Sequence, residues 1–179
     1  MFANRSIFLR GLALAMVVVV TDQLSKIWIV DHLFLYQYMP LINDFFGLTL
    51  VHNQGAAFGF LAGMGGWQRW FFTVVAVVMS LGILICLAQL RSSRMCEWSA
   101  FSLILGGAVG NVADRIELGY VIDFVLVHYR QQWYFPAFNV ADAAITMGAI
   151  LLLADVLLCA PNRADKANSP ANAKSKGTP

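Results

Sequence analysis

The sequence predicts an all-α membrane protein with four transmembrane helices. Three observations predict it. Of the 179 residues, 59% are hydrophobic and only 12% charged, where soluble domains carry about 25% charged residues. Four apolar segments stand out, three of them of the length that crosses a hydrocarbon core of ~30 Å at about 1.5 Å per helical residue. The basic residues, finally, gather on one side of those segments. With a mean hydropathy of +0.68, a chain this short cannot hide its apolar surface in a core of its own, so lipid covers part of it. The net charge of +2 is too small to suggest a nucleic-acid partner.

The first apolar segment covers residues 7–30, the second 67–90, the third 98–113 and the fourth 139–160. Arg5 and Arg10 before the first give it the look of a signal peptide. The polar cluster at residues 21–26 follows, however, in place of a small-residue cut site, so the segment is expected to stay as a span. The third is short, and its Gly106, Gly107 and Gly110 allow close helix contact in the small-xxx-small manner. Residues 1–160 then form one membrane domain, expected to act as a monomer. Residues 161–179, rich in Ala, Asn, Lys, Ser and Pro, read as a disordered tail.

Arg5, Arg10, Arg91, Arg94, Arg163, Lys166, Lys174 and Lys176 are eight of the twelve Lys and Arg residues. Four spans put all eight on one side, which the positive-inside rule makes cytoplasmic together with both termini. Trp67, Trp70, Trp133 and Tyr134 then lie at the outer interface, where amphipathic rings are favoured. Two outer segments remain, residues 31–66 and 115–138. Each holds a strand-like apolar run, at 46–51 and 121–127. Such irregular elements belong at the surface, because unpaired backbone is too costly in lipid. Cys86, Cys96 and Cys159 are odd in number and widely spaced, which describes neither a disulfide framework nor a zinc site.

Ionisable residues at membrane depth are costly, so each needs a reason. Asp22 and Lys26 are four apart on one helical face, as an ion pair requires. Asn111, Asp114 and Arg115 also share a face, and Arg115 can fork toward a carboxylate or a carbonyl. Asp155, near the inner end of the fourth span, is accounted for by headgroup solvation. Asp123 and Asp142 are different. Asp123 sits in the apolar run Val121-Ile122-Asp123-Phe124-Val125 with no basic neighbour, and Asp142 opens the fourth span. The topology puts both near the outer interface. Two carboxylates held close in a low-dielectric site do not both ionise, and one keeps a proton. Such a pair supplies a base for water and an acid for a carbonyl. Two acids in a bundle also suit a proton relay.

Other chemistries lack their residues. There is no HExxH, CxxC or His-carboxylate cluster for a metal, and no G-x-S-x-G elbow. His32, His52 and His128 are scattered. A transporter or proton channel is the main rival, but no inverted repeat is visible and the acids gather at one face. A scaffold that only holds other proteins has no need of isolated acids in apolar strands.

Five blocks stand out within residues 11–160. In order they are Thr21-Asp22-Gln23-Leu24-Ser25-Lys26, Val51-His52-Asn53-Gln54-Gly55-Ala56-Ala57-Phe58-Gly59, Gly106-Gly107-Ala108-Val109-Gly110-Asn111-Val112-Ala113-Asp114-Arg115, Gly119-Tyr120-Val121-Ile122-Asp123-Phe124 and Phe135-Pro136-Ala137-Phe138-Asn139-Val140-Ala141-Asp142. Together they resemble one family, the lipoprotein signal peptidases (signal peptidase II). The resemblance implies four membrane helices with a small periplasmic β-cradle, in the bacterial inner membrane. It implies an aspartic peptidase that needs no cofactor or metal and cuts lipidated prolipoproteins just before the diacylglyceryl-modified cysteine. Asp123 and Asp142 would be the catalytic pair. Asn53, Gly55, Asn111, Arg115 and Asn139 would shape the site or hold substrate, with Asp22, Lys26 and Asp114 in support. It also implies inhibition by globomycin-type cyclic peptides. Which aspartate starts protonated is open, since a coupled pair titrates as a unit.

The topology is directly testable. Reporter fusions after Gly63, Arg94, Gln131 and Asn162 should report out, in, out and in. An outer signal at Arg94 would refute four spans.

Overall fold

The computed structural model describes residues 4–55, 66–91, 95–130 and 132–159. The tail expected from residue 161 lies outside them. Helix α1 spans Arg5–His32, α2 Trp67–Gln89, α3 Met95–Glu117 and α4 Val140–Ala154, the last running on as a π-helical turn over Asp155–Cys159. Strands β1 (Tyr38–Ile42) and β2 (Phe46–Asn53) lie between α1 and α2, and β3 (Val121–Tyr129) and β4 (Trp133–Tyr134) between α3 and α4.

Helix α1 starts on Asn4, whose side chain accepts the Ile7 amide at 3.2 Å, the usual way to satisfy an open first-turn donor. Its buried residues, among them Gly11, Ala15, Val18, Asp22, Lys26 and Ile29, recur every three or four positions. The other faces stay apolar and exposed, as at Met16, Val17 and Leu24. That is the pattern of a helix with one face on the bundle and the rest toward lipid.

Among the described residues, three helices are long and apolar enough to cross a membrane: α1, α2, and α4 with part of its π turn. Helix α3 is not one of them. Its length corrects the sequence expectation, since it has 23 residues where 98–113 was expected. The polar end with Asn111, Asp114 and Arg115 is helical too. The physical reason is its place in the bundle. Helix α3 packs on α1, α2 and α4, so protein rather than lipid covers most of its surface. It therefore tolerates the polar residues that hydropathy penalises.

Glycines allow that packing. A Cβ on Gly106 would stand 2.6 Å from the Ala15 carbonyl oxygen of α1, and one on Gly107 would run into the Ala141 carbonyl of α4. An inner core of Ala15, Ile83 and Leu105 joins α1, α2 and α3.

The segments between α1 and α2 and between α3 and α4 form one antiparallel sheet in the order β1-β2-β3-β4. It contains the two expected strands and two shorter ones, β1 and β4, that were not anticipated. Ile29 and Leu33 at the end of α1 pack with Leu50, Ile122 and Phe124, which seats the sheet on one end of the bundle. Asp155 is a second correction. It is buried, with 6% of its surface exposed, rather than solvated at the headgroups. It opens the π turn that continues α4. Cys86 and Cys96 are free and exposed.

The glycine contacts predict a contrast. Gly107→Val should force α3 from α4 and lower stability by about 1–3 kcal/mol, as overpacking does. Gly82→Ala, where an added Cβ meets nothing within 4 Å, should leave the melting temperature in detergent nearly unchanged. Equal melting of Gly107→Val and the native chain would contradict this packing.

Candidate active site

Asp123 reaches the site from β3 and Asp142 from the first turn of α4. Ordinary local rules place both. A turn through Gly119, whose φ of +90° favours glycine, ends α3 and starts β3. There Val51 of β2 pairs with Asp123 and Asn53 with Val121. After β4 the chain returns to β3, with the Phe138 carbonyl accepting the Phe124 and Val125 amides at 3.0 and 2.8 Å. The next residue, Asn139, is the N-cap of α4. It forms a capping box, its side chain taking the Asp142 amide and the Asp142 carboxylate taking its own amide.

Asn139 thereby touches both acids. Its Nδ2 donates to Asp123 Oδ1 at 2.7 Å, and its backbone N–H donates to Asp142 Oδ2 at 3.3 Å. Asn53 Nδ2 donates to the other Asp123 oxygen at 2.8 Å, and Asn111 Nδ2 to Asp142 Oδ1 at 2.8 Å. Each carboxylate thus receives two donors from neutral groups. Asp123 is buried, and burial together with the nearby Asp142 charge pushes its carboxyl up to about 7, against the bonds from Asn53 and Asn139 that favour ionisation. Both acids line one cavity of about 740 Å³. Its polar end holds Asn53, Asn111 and Arg115, and its walls are apolar side chains of α2, α3 and α4.

Behind the pair stands Lys26. Its ammonium lies 2.7 Å from Asp22 and 2.9 Å from Asp114 and donates to Asn111 Oδ1 at 3.2 Å. The expected pair is present and is in fact a triad. Asp22 also accepts the Ala141 amide of α4 at 2.9 Å, and Asp114 accepts the Ile122 amide of β3 at 3.1 Å. Each carboxylate therefore fixes the backbone beside an acid of the site. Arg115 points the other way. Its Nη2 donates to the Gly55 carbonyl at 3.2 Å, while the Gly55 amide donates to Asn53 Oδ1 at 2.9 Å.

Asp22, Lys26, Asn53, Gly55, Asn111, Asp114, Arg115, Asp123, Asn139 and Asp142 thus come together at the site or directly behind it, while Asp155 lies apart at the other end of α4. Attention to ionisable groups alone passes over Gln23, whose Nε2 donates to Asp114 at 2.8 Å and lies 3.2 Å from Asp22. Its place in the polar cluster at membrane depth was the signal. The apolar walls, such as Phe72 and Met79, carried no signal, since they resemble any lipid-facing residue.

A helical bundle with a small sheet at one end and two acids at a cavity mouth is the architecture of a membrane enzyme. Solved bacterial membrane enzymes share the fold. One, determined by the in meso method at 2.3 Å, superposes with a TM-score of 0.75 at 28% identity, covering 89% of this chain and 91% of that one. The chain belongs to the signal peptidase II family, whose model, described as Signal peptidase (SPase) II, matches residues 14–158. The lipoprotein signal peptidase of Pseudomonas syringae pv. tomato is 50% identical over 148 residues, 83% of this chain and 86% of that one. That of Cellvibrio japonicus is 52% identical over 144 residues, 80% and 84% of the two chains. The activity that goes with the family is proteolytic removal of signal peptides.

The triad changes what mutation should do. Lys26→Met strands two buried carboxylates and should cost about 3–5 kcal/mol. A simple pair would predict recovery in Asp22→Asn with Lys26→Met. The triad predicts little, because Asp114 stays unpaired. Recovery should require Asp114→Asn as well, read as folded yield and melting temperature in detergent.

Proposed function

We propose that this chain is an intramembrane aspartic endopeptidase that removes the signal peptide from diacylglyceryl-modified prolipoproteins, cutting just before the lipidated cysteine. One observation carries the reading. Asp123 and Asp142 come from different elements, are bridged by Asn139, and stand where the polar end of an apolar cavity begins. A lipidated substrate stays in the bilayer. The apolar walls suit its hydrocarbon and flanking residues, and the outer depth of the acids gives water access.

The proton is assigned to Asp123. Its carboxyl titrates near 7, so at neutral pH it is protonated much of the time. Asp142 lies in the first turn of α4, where the helix dipole favours an anion, and acts as general base. Asp142 takes a proton from water as the oxygen attacks the scissile carbonyl, and Asp123 gives its proton to the carbonyl oxygen. On collapse Asp142 protonates the leaving amine and Asp123 recovers its proton from the tetrahedral hydroxyl. The proton inventory closes over the cycle. Asn53, Asn111 and Asn139 orient the acids. Arg115 holds Gly55, and with it the strand end that carries Asn53, against the cavity mouth.

The same reading has all four helices cross the inner membrane, with both termini cytoplasmic and the sheet on the periplasmic side. Helix α3 crosses under cover of the other three. The chain acts as a monomer, and its cavity mouth accepts globomycin-type cyclic peptides in place of substrate.

The test is a gel-shift cleavage assay with purified chain and lipidated prolipoprotein. Asp123→Asn and Asp142→Asn should each lose cleavage by several orders of magnitude, with the double variant scarcely worse, as groups acting as a unit do. Each introduced amide faces donors with a donor, so some loss of stability, about 1–3 kcal/mol, should accompany the loss of rate. Cleavage within tenfold of native in either variant would refute the assignment.

The pH dependence has a definite sign. Above about 7, Asp123 ionises beside a charged Asp142 and the acid for the carbonyl is lost, so kcat should fall as pH rises through that value. At low pH a second proton should remove the base and give an acid limb. A rate that keeps rising from pH 7 to 9 would overturn the proton assignment.

A further inference from the structure

The α2 wall of the cavity is anchored unevenly. In its inner half Ile83 packs with Ala15 and Leu105, and Leu87 is buried against Gly11. In its outer half the buried residues are Gln68 and Thr73, both polar, while Trp67, Trp70 and Phe71 are about half exposed. Among the described residues, apolar packing holds the inner end and polar bonds hold the outer one. The Thr73 hydroxyl donates within the helix, to the Arg69 carbonyl at 2.7 Å.

Arg69 crosses to the rest of the molecule. Its Nη2 donates to the Ile116 carbonyl at 2.7 Å. That oxygen is among those left open at the end of α3, where a cation is also favoured by the helix dipole. The guanidinium lies against the Gly119 turn as well, since a Cβ there would stand 3.1 Å from Nη1. Four residues past that turn is Asp123. One helical step from Arg69, Phe72 lines the cavity and lies 5.8 Å from the Arg115 guanidinium.

We propose that Arg69 is a positioning residue of the peptidase. By tying the outer end of α2 to the end of α3 and the Gly119 turn, it sets the width of the cavity mouth at the depth of the two aspartates. It thereby sets how tightly lipidated substrate is held. Arg69 bonds to neither aspartate, so it acts on binding through the wall and leaves the proton transfers alone. The inference rests on the peptidase reading of the site.

The test compares Arg69→Met and Arg69→Lys in the purified full chain. Losing a hydrogen bond from a charged donor should raise KM for lipidated prolipoprotein about tenfold. The value of kcat should stay within about twofold, with its pH profile unmoved. Lysine keeps a charge and a donor for the Ile116 carbonyl and should recover at least half the loss. A readout independent of catalysis uses spin labels at Trp67 and Leu118, both exposed, with Cys86, Cys96 and Cys159 replaced by Ser. Their separation should lengthen or broaden in Arg69→Met and return in Arg69→Lys. Should the methionine variant fail to fold, the lysine variant is held to the same comparison with a smaller KM change. The proposal is overturned by a fall in kcat at constant KM, by a KM change without a change in separation, or by a folded methionine variant in which neither moves. A native chain that cleaves no prolipoprotein would sink the functional reading, and the label separation would still decide the tie.

Discussion

The ammonium of Lys26 is where the bundle, the sheet and the site meet. It sits between Asp22 of its own helix and Asp114 of α3, and all three side chains are almost wholly buried. A charge in that position is tolerated only with every donor placed, because desolvation costs several kcal/mol per ion. Beside Lys26 and Gln23, each carboxylate also bonds a backbone amide of another element. Asp22 holds Ala141, one residue before Asp142, and Asp114 holds Ile122, one residue before Asp123. One cation thus sets the relative placement of α1, α3, β3 and α4. Removing it costs the two acids their placement as well as the fold its polar centre.

Much of this was legible in the sequence, and the reason differs from part to part. Helices α1, α2 and α4 were legible because lipid faces most of their surface and demands apolar residues there. Helix α3 was read too short because protein, not lipid, surrounds it, and its end could afford Asn111, Asp114 and Arg115. Strands β2 and β3 showed as β-branched and aromatic runs. The strands β1 and β4 did not, since Tyr38–Ile42 contains a proline and Trp133–Tyr134 is only two residues. Asp22 and Lys26 were legible from their spacing of four. The second partner, Asp114, lies 88 residues beyond Lys26, and no local rule connects them. Asn139 and Asp142 carried an overlooked local signal, since Asn-x-x-Asp before an apolar run is a capping box.

The surroundings of the two acids follow a division of labour. The side chains that bond to Asp123 and Asp142 are asparagines, neutral donors that orient a carboxylate without adding a cation against it. Direct contact with lysine or arginine would favour the ionised form strongly, and neither acid could then keep a proton near neutral pH. Lys26 and Arg115 are held one residue away, on Asn111 and on Gly55. At that remove they offset the field of four nearby carboxylates without claiming either oxygen of the pair. Asn111 makes the separation work. Its Oδ1 accepts from Lys26 while its Nδ2 donates to Asp142, so the amide polarised by the cation is the one that contacts the acid. A lysine bonded directly to Asp142 would hold it in an ion pair and weaken it as a base. The interposed amide keeps the orientation that the cation supplies and leaves both carboxylates clear of a direct ion pair, which is the condition the proposed chemistry requires.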